Sequence, residues 1–334
     1  MQSKRVIFTG TDRIEIDTVD LAAPGPGQVR VRARRSLIST GTECICLQRR
    51  FEQGTGYENW VKYPFAPGYS LVGEVIDVGD GVTRITPGQR VLLARPHAQV
   101  ALHPAEQAFV IPDSVTDDDA TFGVINYVVQ HGFRKAALAI GESVAVVGQG
   151  LLGQLVVQFA RLAGARHVIA IDPAPQRAAM SEQSGATHVL AMPVAEALEP
   201  LRDILGGEGT DVVFEMTGHA PVFADALRLP RPRGRVGLIG DTGAPSQQHL
   251  IQRVVTDDLH IFGAHGTKPP QPGNPFAPWS QRAMVDLFFH YLTTGQMAVN
   301  HLITHHYALD DAAAAYELLT TRRAEAMGVI FDYA

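Results

Sequence analysis

Cysteine is nearly missing from this 334-residue chain. The two present, Cys44 and Cys46, are too few and too close together to frame a disulfide-stapled fold. Runs of basic residues are absent and the formal net charge is −6, which argues against a nucleic-acid partner. No stretch approaches the roughly 18 consecutive apolar residues of a membrane-spanning helix. The opening MQSKRVIFTGTDRIEID turns polar too early for a secretory signal. There is no internal repeat, no low-complexity tail, and no HExxH or CxxC pair. These absences lead us to expect a cytoplasmic protein acting on a small molecule, with neither nucleic acid nor membrane as partner.

What the chain does have is apolar bulk. It is 46% hydrophobic and 19% charged, enough to bury substantial cores, and its length predicts about two domains.

The most informative stretch is 143–172, SVAVVGQGLLGQLVVQFARLAGARHVIAID. An apolar strand enters Gly148-x-Gly150-x-x-Gly153, an amphipathic helix follows, and a second strand ends in Asp172. This order suits a dinucleotide: Gly148 permits a tight turn, Gly150 lets backbone approach a pyrophosphate, and Gly153 lets the helix pack closely on the sheet. The helix N-terminus, beginning at Leu151 and Leu152, then offers unpaired N–H groups and a positive dipole end to the phosphates. Asp172 stands about 20 residues beyond the last glycine, where a carboxylate binds the adenosine ribose diol and repels a 2′-phosphate. NAD is therefore the expected coenzyme, although Arg177, five residues on, offers a phosphate a partner. Along the helix, Leu151, Leu152, Leu155, Val156, Phe159 and Leu162 are expected on the buried face, and Gln154, Gln158 and Arg161 on the other.

The first ~120 residues read as β-rich, with strands near 6–8, 13–19, 28–36, 73–82 and 88–94 separated by PGPG, GDG and PG turns. From about residue 124, strands and helices alternate. Strands at 144–147, at a second segment ending in Asp172, and at 188–190, 211–215, 235–239 and 259–264 predict a doubly wound parallel sheet in an α/β protein. A helix is expected over 174–184, a Pro-rich loop over 267–282, helices over 281–294 and 310–322, and a last strand over 328–332. At the carboxyl ends of the sheet strands, Thr217-Gly218 and Gly240-Asp241 are expected to border the coenzyme, or to be ordinary turns.

The entry PGPGQVRVRARRSLIS, the GTE at 41–43, the segment PGYSLVGEVIDVGDGV, the glycine fingerprint and the closing ALDDAAAAYELL together resemble the medium-chain dehydrogenase/reductase superfamily over essentially the whole chain. The resemblance is to its zinc-type alcohol and sorbitol dehydrogenase-like members, the bacteriochlorophyllide dehydrogenase branch among them. It implies a Rossmann sheet, residues 124–264, inserted into a β-rich GroES-like catalytic domain, residues 1–123 and 265–334. It also implies a homodimer or homotetramer, and backbone at Ala264 and His265 lying against the nicotinamide.

The family's catalytic zinc ligands fall on Thr40, Tyr69 and near Gly123, none of which supplies the usual N, S or O ligand. Its four-cysteine structural zinc lobe is missing from residues 95–106. Cys44, Cys46, His97, His103, His265, His305 and His306 read as scattered, so no metal is expected. Without zinc, side chains must manage the proton that accompanies hydride transfer. Tyr69 is the first candidate, as proton donor or as filler of the vacated volume. Thr42 matches the family's relay hydroxyl, or makes a turn hydrogen bond. His97 is expected to reach the pocket, or to stand in solvent. Glu43 reads as structural. His265 is a further contact for substrate or coenzyme, and Tyr57, Trp60 and Trp279 are aromatic candidates for a pocket wall.

The expected activity is a zinc-independent, NAD(H)-dependent interconversion of a secondary alcohol (polyol, sugar or cyclitol-like) and its ketone. The alternatives are an NADPH-dependent quinone or enone reductase and a non-catalytic NAD(H)-binding protein.

Overall fold

The computed structural model describes residues 1–266 and 279–333. The chain forms two compact units, Met1–Ile125 with Gln281–Ala334, and Asn126–Ser280.

In the second unit, six parallel strands among the described residues run in the order His188–Leu190, His167–Ile171, Ser143–Val147, Thr210–Glu215, Pro230–Leu238, His260–Gly263. The strand order reverses direction between Ser143–Val147 and Thr210–Glu215. The register aligns Ile171, Val147, Glu215 and Leu238 at one edge. Asp172, Gly148, Thr217 and Gly240 therefore leave the sheet together at its carboxyl end. Ser143–Val147 is buried along its whole length, as a strand covered on both faces must be, which explains why it reads as a continuous apolar run.

The helix Leu151–Leu162 departs from its expected faces. Gln154 and Gln158 are buried while Leu162 is 37% exposed. Gln154 is accommodated because polar partners meet it from the next helix, Pro175–Gln183.

The first unit pairs the hairpin Gln2–Gly10 and Arg13–Asp20. Beside it lies a mainly antiparallel sheet in the order Ile303–Ala308, Gly328–Asp332, Gln28–Leu37, Leu71–Val78, Arg90–Leu93, Phe109–Val110, with Val100–Pro104 also on Gln28–Leu37. Two short helices, Thr42–Gln48 and Gly56–Trp60, interrupt the region read as β-rich. The helices Gln281–Thr293 and Ala312–Thr321 fall close to their expected places. One core cluster gathers Val6, Phe8, Ile38, Cys44, Tyr316 and Phe331.

The chain returns to the first unit at Gln281, later than the expected residue 265. Trp279 still belongs to the second unit, where the Arg134 guanidinium stacks over its ring at 3.5 Å. Most of the Pro-rich segment read as a loop, residues 267–278, lies outside the described residues. Among the described residues, no helix is long and apolar enough to cross a membrane.

Candidate active site

The three fingerprint glycines meet three different surroundings. Gly148 has φ +93°, and a Cβ there would lie 2.7 Å from Thr217 Cγ2. A Cβ on Gly153 would lie 2.0 Å from the Gly148 carbonyl oxygen, backbone that has nowhere to go. A Cβ on Gly150 would meet nothing within 4 Å. Two glycines are thus required by the protein's own packing, and the third faces open space at the start of the helix. Gly150 caps that helix in an extended conformation with no side-chain cap. The N–H groups of the first turn at Leu151 and Leu152 are left for an outside acceptor.

Asp172 is 6% exposed. Its Oδ2 accepts from Gln149 N at 2.7 Å and its Oδ1 from Ala174 N at 2.8 Å. An ionised carboxylate has about four lone-pair sites, so each oxygen keeps capacity for a hydroxyl. A cleft of ≈ 250 Å³ opens here, walled by Gly148, Asp172, Val194, Thr217, His219 and Val222 among others. Asp172 and Thr217 line it together; Arg177 is half-buried in the neighbouring helix.

Glu215, missed by sequence reasoning, ends the strand beside the fingerprint strand and is fully buried. Its Oε1 accepts from Thr217 N at 2.6 Å and from the Thr217 hydroxyl. Burial raises its carboxyl pKa, partly offset by those hydrogen bonds. Glu215 therefore holds Thr217 against Gly148. Gly240 owes its smallness to packing: a Cβ there would lie 2.5 Å from Gly218 N. Ala264 N donates to Leu238 O at 3.1 Å. His265 is exposed, 3.7 Å from Asp241.

In the first unit, Tyr69 is half-buried and its hydroxyl donates to Ser39 Oγ. Ser39, unnoticed in the sequence, also donates its backbone N–H to Glu43 Oε1 at 2.7 Å. Glu43 Oε2 is shared by His97 Nε2 at 3.0 Å and the Tyr316 hydroxyl at 2.5 Å. His97 Nδ1 meets Ser36 Oγ at 2.7 Å, and Ser36 meets Tyr333 Oη at 2.8 Å. Burial, then the negative charge of Glu43, raises the Tyr316 phenol well above its ordinary pKa, so it stays a donor.

These contacts correct the reading of His97. It is 0% exposed and both ring nitrogens are engaged inside the fold, so it neither lines a pocket nor stands in solvent. Gly68 makes room for it: a Cβ there would lie 2.6 Å from the imidazole. Thr42 is the first residue of its helix and half-buried. Tyr57 packs in the core, stacked on Phe51, while Trp60 is 49% exposed.

Comparison with known proteins matches two adjoining families in order. Residues 25–113 match the alcohol dehydrogenase GroES-like domain, and residues 152–281 match the zinc-binding dehydrogenase family. An alcohol dehydrogenase of Cupriavidus necator is 29% identical, with 96% of each chain covered. An L-threonine 3-dehydrogenase of Chelativorans sp. is 27% identical, with 95% of each covered. The solved 2R,3R-butanediol dehydrogenase of Bacillus subtilis superposes with TM-score 0.80 at 18% identity, covering 99% of this chain and 100% of that one. A Rossmann sheet and a GroES-like unit in one chain, with a glycine fingerprint in the first, define an alcohol dehydrogenase-like oxidoreductase. The chain belongs to the zinc-type medium-chain dehydrogenase/reductase superfamily.

The residues at that family's catalytic zinc positions do not fit the metal. Tyr69 turns its hydroxyl to Ser39, and Thr40 is not a usual ligand. Gly123 has no side chain to offer a metal, and Leu92 Cδ2 lies 2.4 Å from where its Cβ would be. Among the described residues, no group of three His, Cys, Asp or Glu side chains is arranged to hold a metal ion.

Proposed function

We propose that this chain is an NAD(H)-dependent oxidoreductase that interconverts a secondary alcohol and its ketone without catalytic zinc. Tyr69 is its proton-exchanging group. The observation that carries this reading is the Tyr69–Ser39 hydrogen bond at a position where the family has a zinc ligand. Relatives named for alcohol and L-threonine as substrates support chemistry on a CH–OH carbon.

The fingerprint turn, the first-turn N–H groups at Leu151 and Leu152, and the Asp172 carboxylate fit a dinucleotide with a free ribose diol. Thr217, Gly240 and Ala264 continue that edge, with Arg177 and His265 beyond it. The nicotinamide, when bound, supplies the hydride acceptor or donor. Proton transfer is left to the chain. In the oxidation direction, Tyr69 Oη takes the substrate hydroxyl proton while giving its own to Ser39 Oγ, which passes its proton to water. In reduction, the same hydrogen bonds run backwards and Tyr69 donates to the carbonyl oxygen. Thr42 is a second hydroxyl at the relay position of the family. His97 acts at one remove, by fixing Glu43, which in turn fixes Ser39.

The test is turnover of a panel of secondary alcohols with NAD by purified protein, alongside elemental analysis. Activity with substoichiometric metal is the expected outcome. Stoichiometric zinc that is needed for turnover would remove the zinc-free reading. Faster turnover of quinones or enones with NADPH would replace it.

A further inference from the structure

Between the fingerprint helix Leu151–Leu162 and the helix Pro175–Gln183 lies a sealed polar network that the coenzyme fingerprint itself does not require. Gln149 is the middle residue of the Gly148–Gly150 turn and is fully buried. Its side-chain amide donates to Val146 O at 2.7 Å, and its Oε1 accepts from Ser181 Oγ at 2.9 Å. Gln154, also fully buried, donates to Arg177 O at 3.0 Å and Ser181 Oγ at 3.2 Å, and accepts from Ser184 Oγ at 2.8 Å. The backbone N–H of Gln149 donates to Asp172 Oδ2.

One residue, Gln149, is thus bonded by its backbone to the ribose-binding acid. By its side chain it is bonded to the helix that carries Arg177. Buried polar groups of this kind stabilise one arrangement only, because each slip leaves a donor or acceptor unsatisfied. Apolar residues would pack two helices without specifying their offset so narrowly. The two groups whose placement the network sets are Asp172, which favours a ribose diol, and Arg177, which favours a 2′-phosphate.

We propose that Gln149, Ser181 and Gln154 are specificity-determining positioning residues: their hydrogen bonds fix Asp172 relative to Arg177 and so set the preference between NAD(H) and NADP(H). This rests on the dinucleotide reading above. The network touches no reacting atom.

The test is fluorescence titration of NADH and NADPH with the intact protein and its Gln149→Met and Ser181→Ala variants, with melting temperatures measured alongside. Leu229→Ala serves as a control for stability alone. Leu229 is fully buried just before the strand Pro230–Leu238, at the sheet end remote from the fingerprint. The inference expects the NADH Kd to rise about tenfold in either network variant, the size of one buried polar group left unsatisfied, with NADPH changing much less. Leu229→Ala should leave the ratio of the two constants unchanged at an equal loss of melting temperature. A ratio unmoved in folded Ser181→Ala overturns the proposal, and that variant decides the matter even if Gln149→Met does not fold. Tighter NADPH binding by the unmodified protein would defeat the NAD reading alone. The network would still be judged by whether the preference, of either sign, collapses.

Discussion

His97 Nε2 lies 3.0 Å from Glu43 Oε2, and both side chains are withdrawn from solvent. Around this pair, His97 Nε2, Tyr316 and the Ser39 N–H converge on the Glu43 carboxylate, and Ser36 Oγ bridges His97 Nδ1 and Tyr333 Oη. Truncating the acceptor strands three donors at once. Glu43→Ala should therefore cost about 3 kcal/mol or more in urea unfolding, at roughly 1–3 kcal/mol for each buried donor left without an acceptor. Glu43→Gln keeps the volume and one acceptor oxygen and should cost less. A Glu43→Ala loss below about 1 kcal/mol would show that the network is not needed for stability.

Tyr69→Phe keeps the ring and removes the hydroxyl that bonds Ser39. If that hydroxyl exchanges the proton, kcat should fall by about 10²–10⁴-fold. The Kd for NADH, measured by titration, should stay within about twofold, well under one hydrogen bond in free energy. Ser39→Ala should show a smaller loss of the same kind. An unchanged kcat in Tyr69→Phe would leave Tyr69 as filler of the former ligand position.

Gly153 and Gly150 should separate folding from binding. Gly153→Ala places a methyl 2.0 Å from the Gly148 carbonyl, and backbone must shift, so both melting temperature and coenzyme affinity should drop. Gly150→Ala meets no protein atom and should fold normally while binding NADH more weakly, because its methyl enters the space left for the pyrophosphate. A folded Gly150→Ala with undiminished affinity would place the dinucleotide elsewhere.

These contrasts show why some of the site could be read directly and some could not. The fingerprint was legible because backbone geometry forces glycine at fixed spacing, and a parallel strand buried on both faces leaves an unbroken apolar run. Gln154 and Gln158 misled because periodicity ranks side chains by polarity, whereas a buried glutamine needs only partners, and those of Gln154, Ser181 and Ser184, lie some 30 positions away in sequence. His97 misled likewise: its partners Glu43 and Ser36 come from other elements, and Gly68, which makes room for it, looks like any turn residue. Ser39 and Glu215 carried no pattern at all. Their roles follow from register and from the close approach of loops, which only the folded chain displays.

His103 provides a pH-dependent test of the first unit. It sits in the strand Val100–Pro104 and is 5% exposed. Burial, reinforced by the positive charge of Arg95 and partly offset by a hydrogen bond with the Gln107 backbone, lowers its pKa from 6.5 to about 4. The folded state therefore holds a neutral imidazole, while the unfolded chain takes up a proton below pH 6.5. Stability from this residue is fully present above pH 6.5 and is lost as the pH falls from 6.5 towards 4. Below that point both states are protonated and the loss levels off. The shift corresponds to about 3 kcal/mol. Urea unfolding of the unmodified protein and of His103→Leu, compared between pH 7 and pH 4, should show a loss of stability that is smaller in the variant by about that amount. Parallel pH dependences would mean that His103 does not resist protonation in the fold.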